Sequence, residues 1–341
     1  VSGPVVCVGE TMAALVPEPV GPLATAGTLA VTVAGAESNT AMYLADHGVP
    51  VRWVSAVGAD PFGERITAEV AACGVDVSGV RTDPARPTGL LLKDPGAAGT
   101  RVRYYRAGSA AAALGPDLLA APAVREASLL HLTGITAALS ASCRALVEAA
   151  LDGPVPVSFD VNHRPALWPG GREEAAAVLR GLADRADLVF VGLDEAQALW
   201  GPAVADPAAV RALLPGPRRL VVKDGPRAAT AYDGAAARTV PAPAVEVVEP
   251  VGAGDAFAAG FLAALHRGGS TERALRLGHL TAGAALRVGA DHGPLPPPDR
   301  LAALLDASEA EWRALAPAAG PTPRAPLARS AAPVPPARQD A

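Results

Sequence analysis

An alternation through the middle of the chain constrains the fold most. Short apolar runs over 128–133, 155–161, 187–191 and 220–223 have the length and β-branched content of buried strands. Between them, residues 140–151, 172–185 and 194–200 place apolar side chains at helical spacing. Repeated strand–helix–strand order leaves few solutions. Successive strands lie parallel and helices cross over on both faces, giving a doubly wound, mostly parallel α/β sheet. Upstream, 5–9 reads as a further buried strand. The run 29–33 leads into a helix over 37–47 that stops at Gly48. "VRWVSAVG" reads as one more strand, "DPFG" as a turn, and 64–72 as a helix.

Residues 88–106 break the alternation. "TGLLLKD" and "RVRYYRAG" are extended runs joined by the turn-rich "PGAAGT", a hairpin pattern. With the early strand near Val31 and Val33, this hairpin is expected to form a small second sheet, or lid, within about 10–35 and 88–108. Segment 229–248 is extended again around Asp233-Gly234, and helices follow over 255–267 and 271–288. The last helix is expected to end near Leu315, closing a single domain over 1–315. The Pro/Ala-rich remainder, 316–341, lacks core residues and reads as a disordered tail.

Composition removes several function classes. Net charge is −5 without a long basic block, so nucleic-acid binding has little electrostatic support. The start "VSGPVVCVGE" has no basic region, and nothing approaches ~20 uninterrupted apolar residues. No membrane partner is expected. Cys7, Cys73 and Cys143 are scattered without CxxC spacing and read as small hydrophobes in a reducing compartment. A soluble cytoplasmic protein follows as the expectation.

The chemistry concentrates in "EPVGAGDAF", 249–257. Gly252 and Gly254 permit backbone conformations that a β-carbon opposes. A glycine-bracketed turn entering a helix aims free N–H groups at one point, and the helix dipole adds positive potential there. That suits a phosphate and the charge on a transferred phosphoryl group. Asp255 sets a carboxylate beside this anion site, which makes sense if it takes a proton from an attacking hydroxyl. Equally, Asp is a common first-turn residue after a Gly-rich turn. Walker A is absent because no Lys-Ser/Thr follows the second glycine. GxGxxG fails at Phe257.

Other motifs accompany it in fixed order: "AGAESN", "YYRAGSA", "DVNHRPALW", "GLDEA" and "VVKDG". Together they resemble the ribokinase, or PfkB, family of sugar kinases over nearly the whole chain to about Leu305. The narrower likeness is to 2-keto-3-deoxygluconate kinases. The resemblance implies a ribokinase-like fold, ATP and Mg²⁺ as cofactors, and a sugar acceptor. It implies Asp255 as catalytic base, with Gly252, Ala253 and Gly254 forming the anion hole. Arg164 would reach the phosphates. Gly35, Ala36, Glu37, Ser38, Asn39, Leu91, Tyr104, Arg106 and Asp291 would contact the sugar. An Arg beside a Tyr hydroxyl on one strand face suits a sugar acid. Asn162, Arg164, Lys223, Gly225 and Ala228 would run along the nucleotide with the Gly252 and Gly254 amides, and Glu195 would support Mg²⁺ through water.

Four positions depart from the family pattern. Glu249 replaces the usual Asp, which leaves a monovalent cation such as K⁺ open. Ala34 replaces the first glycine of a Gly-Gly pair. Ala228 replaces a glycine of the nucleotide segment. Leu91 stands where a sugar-contacting Tyr is usual, so fructose, ribose or a nucleoside remains an alternative substrate, and a non-catalytic binding homologue a further one. An apolar lid would also suit pairing with a second copy of the chain.

Overall fold

The computed structural model describes residues 3–96 and 99–316. The tail beyond 316 lies outside the described residues. The first strands in chain order are β1 (Val5–Val8), β2 (Met12–Pro17), β3 (Leu29–Ala34), β4 (Val51–Val54) and β5 (Ala56–Gly58). Next come β6 (Arg81–Asp83), β7 (Leu90–Gly96), β8 (Gly99–Tyr105), β9 (Leu129–Thr133) and β10 (Val157–Asp160). The last are β11 (Leu188–Gly192), β12 (Arg219–Asp224), β13 (Ala228–Asp233) and β14 (Ala236–Pro241). The helices are α1 (Ala36–Asp46), α2 (Pro61–Ala72), α3 (Pro122–Arg125), α4 (Gly134–Leu139), α5 (Ala141–Leu151) and α6 (Gly171–Ala183). They continue as α7 (Leu193–Trp200), α8 (Pro207–Leu213), α9 (Ala253–His266), α10 (Thr271–Leu286), α11 (Pro298–Leu305) and α12 (Glu309–Ala314).

Eight strands form the main sheet in the order β14-β13-β12-β11-β10-β9-β1-β4. From β12 to β4 every pair is parallel, while β13 and β14 add an antiparallel edge. Side-chain alternation assigns the two faces. Leu188, Phe190 and Val221 enter one core with Tyr43, Phe257 and Phe261 of α1 and α9. Val189, Val191, Leu220 and Val222 enter the other with Leu146, Leu179 and Leu199 of α5 to α7. Strands covered on both faces carry no polar stripe, hence the apolar runs in the sequence.

β1 leads outward to β4, yet β9 lies on its opposite side. The order therefore reverses at β1/β9. A crevice outside the carboxyl ends of the strands opens where such a reversal occurs.

The lid is a four-stranded sheet, β3-β2-β7-β8. Its register sets Leu91 opposite Tyr104 and Lys93 opposite Val102. Met12, Ala14, Ala34 and Leu91 make a small apolar cluster of its own. Two local expectations need correction. "VRWVSAVG" is broken at Ser55: β4 joins the main sheet, whereas β5 pairs in parallel with β6. "DPFG" is no free turn but the start of α2. Asp60 accepts a hydrogen bond from Gly63 N and Pro61 occupies the first helical position. Among the described residues no helix is long and apolar enough to cross a membrane.

Candidate active site

The apolar α9 runs through the core, with Asp255 in its first turn. Gly252 caps it at φ +84°, a left-handed conformation, and a β-carbon there would fall 2.8 Å from the main-chain oxygen of Asp291. Glycine is thus required twice, by conformation and by space. Only 8% of Asp255 is exposed. Asn39 Nδ2 donates to its Oδ2 at 3.0 Å and Asn162 Nδ2 to its Oδ1 at 3.2 Å. Burial pushes this carboxyl up to about 7; the Asn39 amide pulls it down, Asp160 pushes it up, and Arg164 and Lys223 pull it down. Two amide donors aimed at both oxygens favour the ionised, proton-accepting form. The result is an acid poised to change charge near neutrality.

Asn162 follows β10 at φ +38°, a left-handed position that Asn tolerates. Asp160, at the end of β10, accepts from Lys223 Nζ at 2.8 Å. Burial opposes the Lys223 charge, but Asp160 and Glu195 outweigh it and hold the ammonium above its ordinary range. The first turn of α9 passes close to this ammonium: a β-carbon on Gly254 would lie 3.4 Å from Nζ, in van der Waals contact. Glu195 uses both oxygens on backbone. Oε1 accepts from His163 N, and Oε2 accepts from Gly192 N at 3.2 Å. Burial, then Asp160, pushes Glu195 up to about 7. As found, Glu195 straps the loop after β10 to the loop after β11. Arg164 is exposed and, among the described residues, its guanidinium bonds only the neighbouring His163 carbonyl, at 3.1 Å.

A cleft of about 670 Å³ opens beside the turn. Lys223, Gly225, Ala228, Ala253 and Gly254 are among its lining residues, as are the apolar Val245, Val247, Ala282 and Leu286. Gly225 turns the chain after β12 at φ +51°.

At the start of α1 the residues of "AGAESN" divide. Asn39 faces Asp255. Gly35 packs on the strand-end segment after β1, where a β-carbon would lie 2.5 Å from Glu10 O. Ala36 is buried at the helix start. Glu37 and Ser38 are wholly buried and turn away, which corrects their assignment as sugar-lining side chains. Glu37 Oε1 accepts from Thr133 Oγ1 at 2.7 Å and Thr136 Oγ1 at 2.6 Å. Ser38 Oγ accepts from Thr11 Oγ1 at 2.7 Å and donates to Gly35 O at 3.1 Å. Both helical positions lie on the core side of α1, so they fix the helix that carries Asn39.

On the lid, Leu91 packs in the inner apolar cluster and Tyr104 is 39% exposed. The Arg106 guanidinium lies 5.5 Å from the Tyr104 ring centre. Yet Arg106 forms an ion pair with the buried Glu10, whose Oε1 also accepts from Ser109 Oγ at 2.6 Å. Its charge is thus already matched, and it ties the end of β8 to the end of β1. Asp291 is buried beside Gly252. Burial pushes its carboxyl up, while Lys93 and the Asn39 amide pull it back. The motifs did not single out Glu10 and Lys93, which pair with the candidate residues Arg106 and Asp291. For Lys93 a signal existed: the whole chain contains only two lysines, this one and Lys223.

Residues 3–297 match the family model described as pfkB family carbohydrate kinase. The chain belongs to this family. It is a carbohydrate kinase, a phosphotransferase with an alcohol group as acceptor, on a ribokinase-like α/β fold. Among curated relatives, a 2-dehydro-3-deoxygluconokinase of Thermoproteus tenax is 33% identical over 89% of this chain and 94% of its own length. One from Bacillus subtilis is 35% identical over 88% of this chain and 94% of its own. A sugar kinase from Pyrococcus horikoshii, solved in complex with ATP, superposes with a TM-score of 0.76. It is 25% identical and covers 90% of this chain and 99% of that one.

Proposed function

We propose that this pfkB kinase transfers the γ-phosphoryl group of ATP to the terminal hydroxyl of a keto-sugar acid, 2-keto-3-deoxygluconate giving its 6-phosphate. The observation that carries the reading is the Asp255 carboxylate, held by Asn39 and Asn162 at the mouth of the α9 turn. In the reaction the hydroxyl oxygen forms a bond to the γ-phosphorus. The bond to the oxygen bridging the β- and γ-phosphorus breaks and ADP leaves. The hydroxyl proton passes to Asp255. A base with a pKa near 7 suits this step at neutral pH. Gly252, Ala253 and Gly254 present amides to the charge on the transferring group, where preorganised donors act most strongly. Arg164, without a carboxylate partner among the described residues, would reach that charge from the loop after β10.

The cleft supports a nucleotide: Lys223 in its lining suits the phosphates, and apolar side chains line it as well. Asn39 Oδ1 is buried without a partner among the described residues, which leaves an acceptor for a sugar hydroxyl. For Mg²⁺ the chemistry of the donors fits. Asp160 raises the proton affinity of Glu195 at this spot, and Mg²⁺ commonly takes one or two carboxylates plus substrate phosphates. When bound, the ion neutralises phosphate charge. The two curated relatives support the sugar-acid substrate. Leu91 in place of a hydroxyl-bearing contact supports a second reading, a neutral ketose. A coupled ATP assay across ketoses, aldoses, nucleosides and sugar acids decides between them. The proposal expects 2-keto-3-deoxygluconate to give the highest kcat/KM, and a higher value for fructose or ribose would overturn it.

A further inference from the structure

Of the 29 lysines and arginines in this chain, only Lys93 and Lys223 are lysines. Lys93 is buried and Lys223 partly buried, each against carboxylates near the α9 turn. Lys223 belongs to the nucleotide cleft, whereas Lys93 has no part in the proposed reaction. It comes from lid strand β7, with its side chain 9% exposed. Its ammonium lies 3.5 Å from Asp291 Oδ1 and 3.9 Å from Glu249 Oε2. Those acids belong to the body and flank the catalytic turn. Val251 N donates to Glu249 Oε1 at 3.3 Å, and the Asp291 backbone fills the space beside Gly252. Two carboxylates next to a turn whose amides face a phosphate oppose the anion. A cation between them removes that opposition. An ammonium is a compact point charge on a flexible stem, fitted to reach between two acids where a planar guanidinium would demand one fixed orientation.

We propose that Lys93 is a positioning residue for phosphoryl transfer: the lid closes by seating this ammonium between Asp291 and Glu249, which holds the Gly252–Asp255 turn against the sugar pocket and excludes water. The inference rests on the kinase reading with Asp255 as base. Arg106 and Glu10 fasten the other end of the lid independently of this turn, so the two contacts have different consequences.

The test uses full-length enzyme with ATP and the preferred sugar, measuring ADP and sugar phosphate separately. Wild type should release one ADP per sugar phosphate. Lys93→Met should lower kcat about 10–100-fold, the scale of a small misplacement of reacting groups. Its ADP should exceed its sugar phosphate, because water attacks the phosphorus in place of the hydroxyl. Lys93→Arg should recover part of the coupling. Wild-type kcat with one-to-one coupling in a folded Lys93→Met enzyme would overturn the proposal. Amine footprinting of wild type supplies a readout that does not depend on a variant folding. Lys93 should react more slowly than free Nα-acetyl-lysine and slower still with sugar bound. Reaction at the free rate with sugar present would also overturn it. Asp255→Asn separates the two readings: full activity there sinks the kinase mechanism, whereas an inactive Asp255→Asn beside a normal Lys93→Met sinks only the role of Lys93.

Discussion

The pH dependence of kcat/KM reports on the Asp255 environment directly. With the carboxyl at about 7 in the free enzyme, half the molecules hold a competent base at that pH. The rate should fall roughly tenfold for each pH unit below it, since the protonated acid cannot accept the hydroxyl proton. Asn39 contributes the largest downward pull, through a 3.0 Å bond to Oδ2. A hydrogen bond to a charged group contributes about 1.5–3 kcal/mol, and one pKa unit corresponds to about 1.4 kcal/mol. Asn39→Ala should therefore move the acidic limb upward by about one to two units. At pH 7 the ionised fraction would drop from about one half to about one tenth or less. Glu195 titrates in the same range, but Asn39 does not touch it, so the shift identifies the limb. A coupled assay at saturating ATP from pH 5.5 to 9 is sufficient. A profile flat across pH 6–8, or a limb that stays in place in Asn39→Ala, would refute the assignment.

Two further outcomes follow from the packing. Gly252→Ala forces a β-carbon into a left-handed position and to 2.8 Å from Asp291 O. It should cost about 1–3 kcal/mol in denaturant unfolding and most of kcat; unchanged values in both would contradict the built turn. Glu37→Gln tests whether Glu37 is structural. Burial raises the Glu37 carboxyl above its ordinary 4.5. An acid shifted this way contributes stability below its unfolded value and loses it as pH rises through the folded one. The glutamine can keep both threonine bonds without that loss. Its melting temperature relative to wild type should therefore improve from pH 5 to pH 8, with sugar affinity retained. Loss of sugar binding would return Glu37 to the pocket.

Much of this molecule was legible in its sequence because the sheet is covered on both faces. Strands such as 187–191 and 220–223 are apolar throughout, and the crossover helices between them are amphipathic. The lid hairpin was legible through its turn residues. The break at Ser55 was not, because β4 and β5 are each short apolar runs and only their partners in different sheets separate them. Asp255 was visible only in company: an acid after a Gly-rich turn is also an ordinary helix start, and the ordered motifs "AGAESN", "YYRAGSA" and "DVNHRPALW" singled it out. Glu37 misled: the resemblance put "AGAESN" at the sugar, yet helical geometry turns Glu37 toward Thr133 and Thr136. Arg106 and Lys93 illustrate a second limit. A strand pattern shows which face a cation occupies, but Glu10, Glu249 and Asp291 come from distant parts of the chain, and only the fold brings them together.

The central claim is that Asp255 removes the proton from the sugar hydroxyl. The most direct test pairs turnover of Asp255→Asn with sugar binding by calorimetry. The account predicts that kcat falls about 10²–10⁴-fold while the sugar still binds, because Asn39 and the lid remain in place. Wild-type turnover in Asp255→Asn would contradict it.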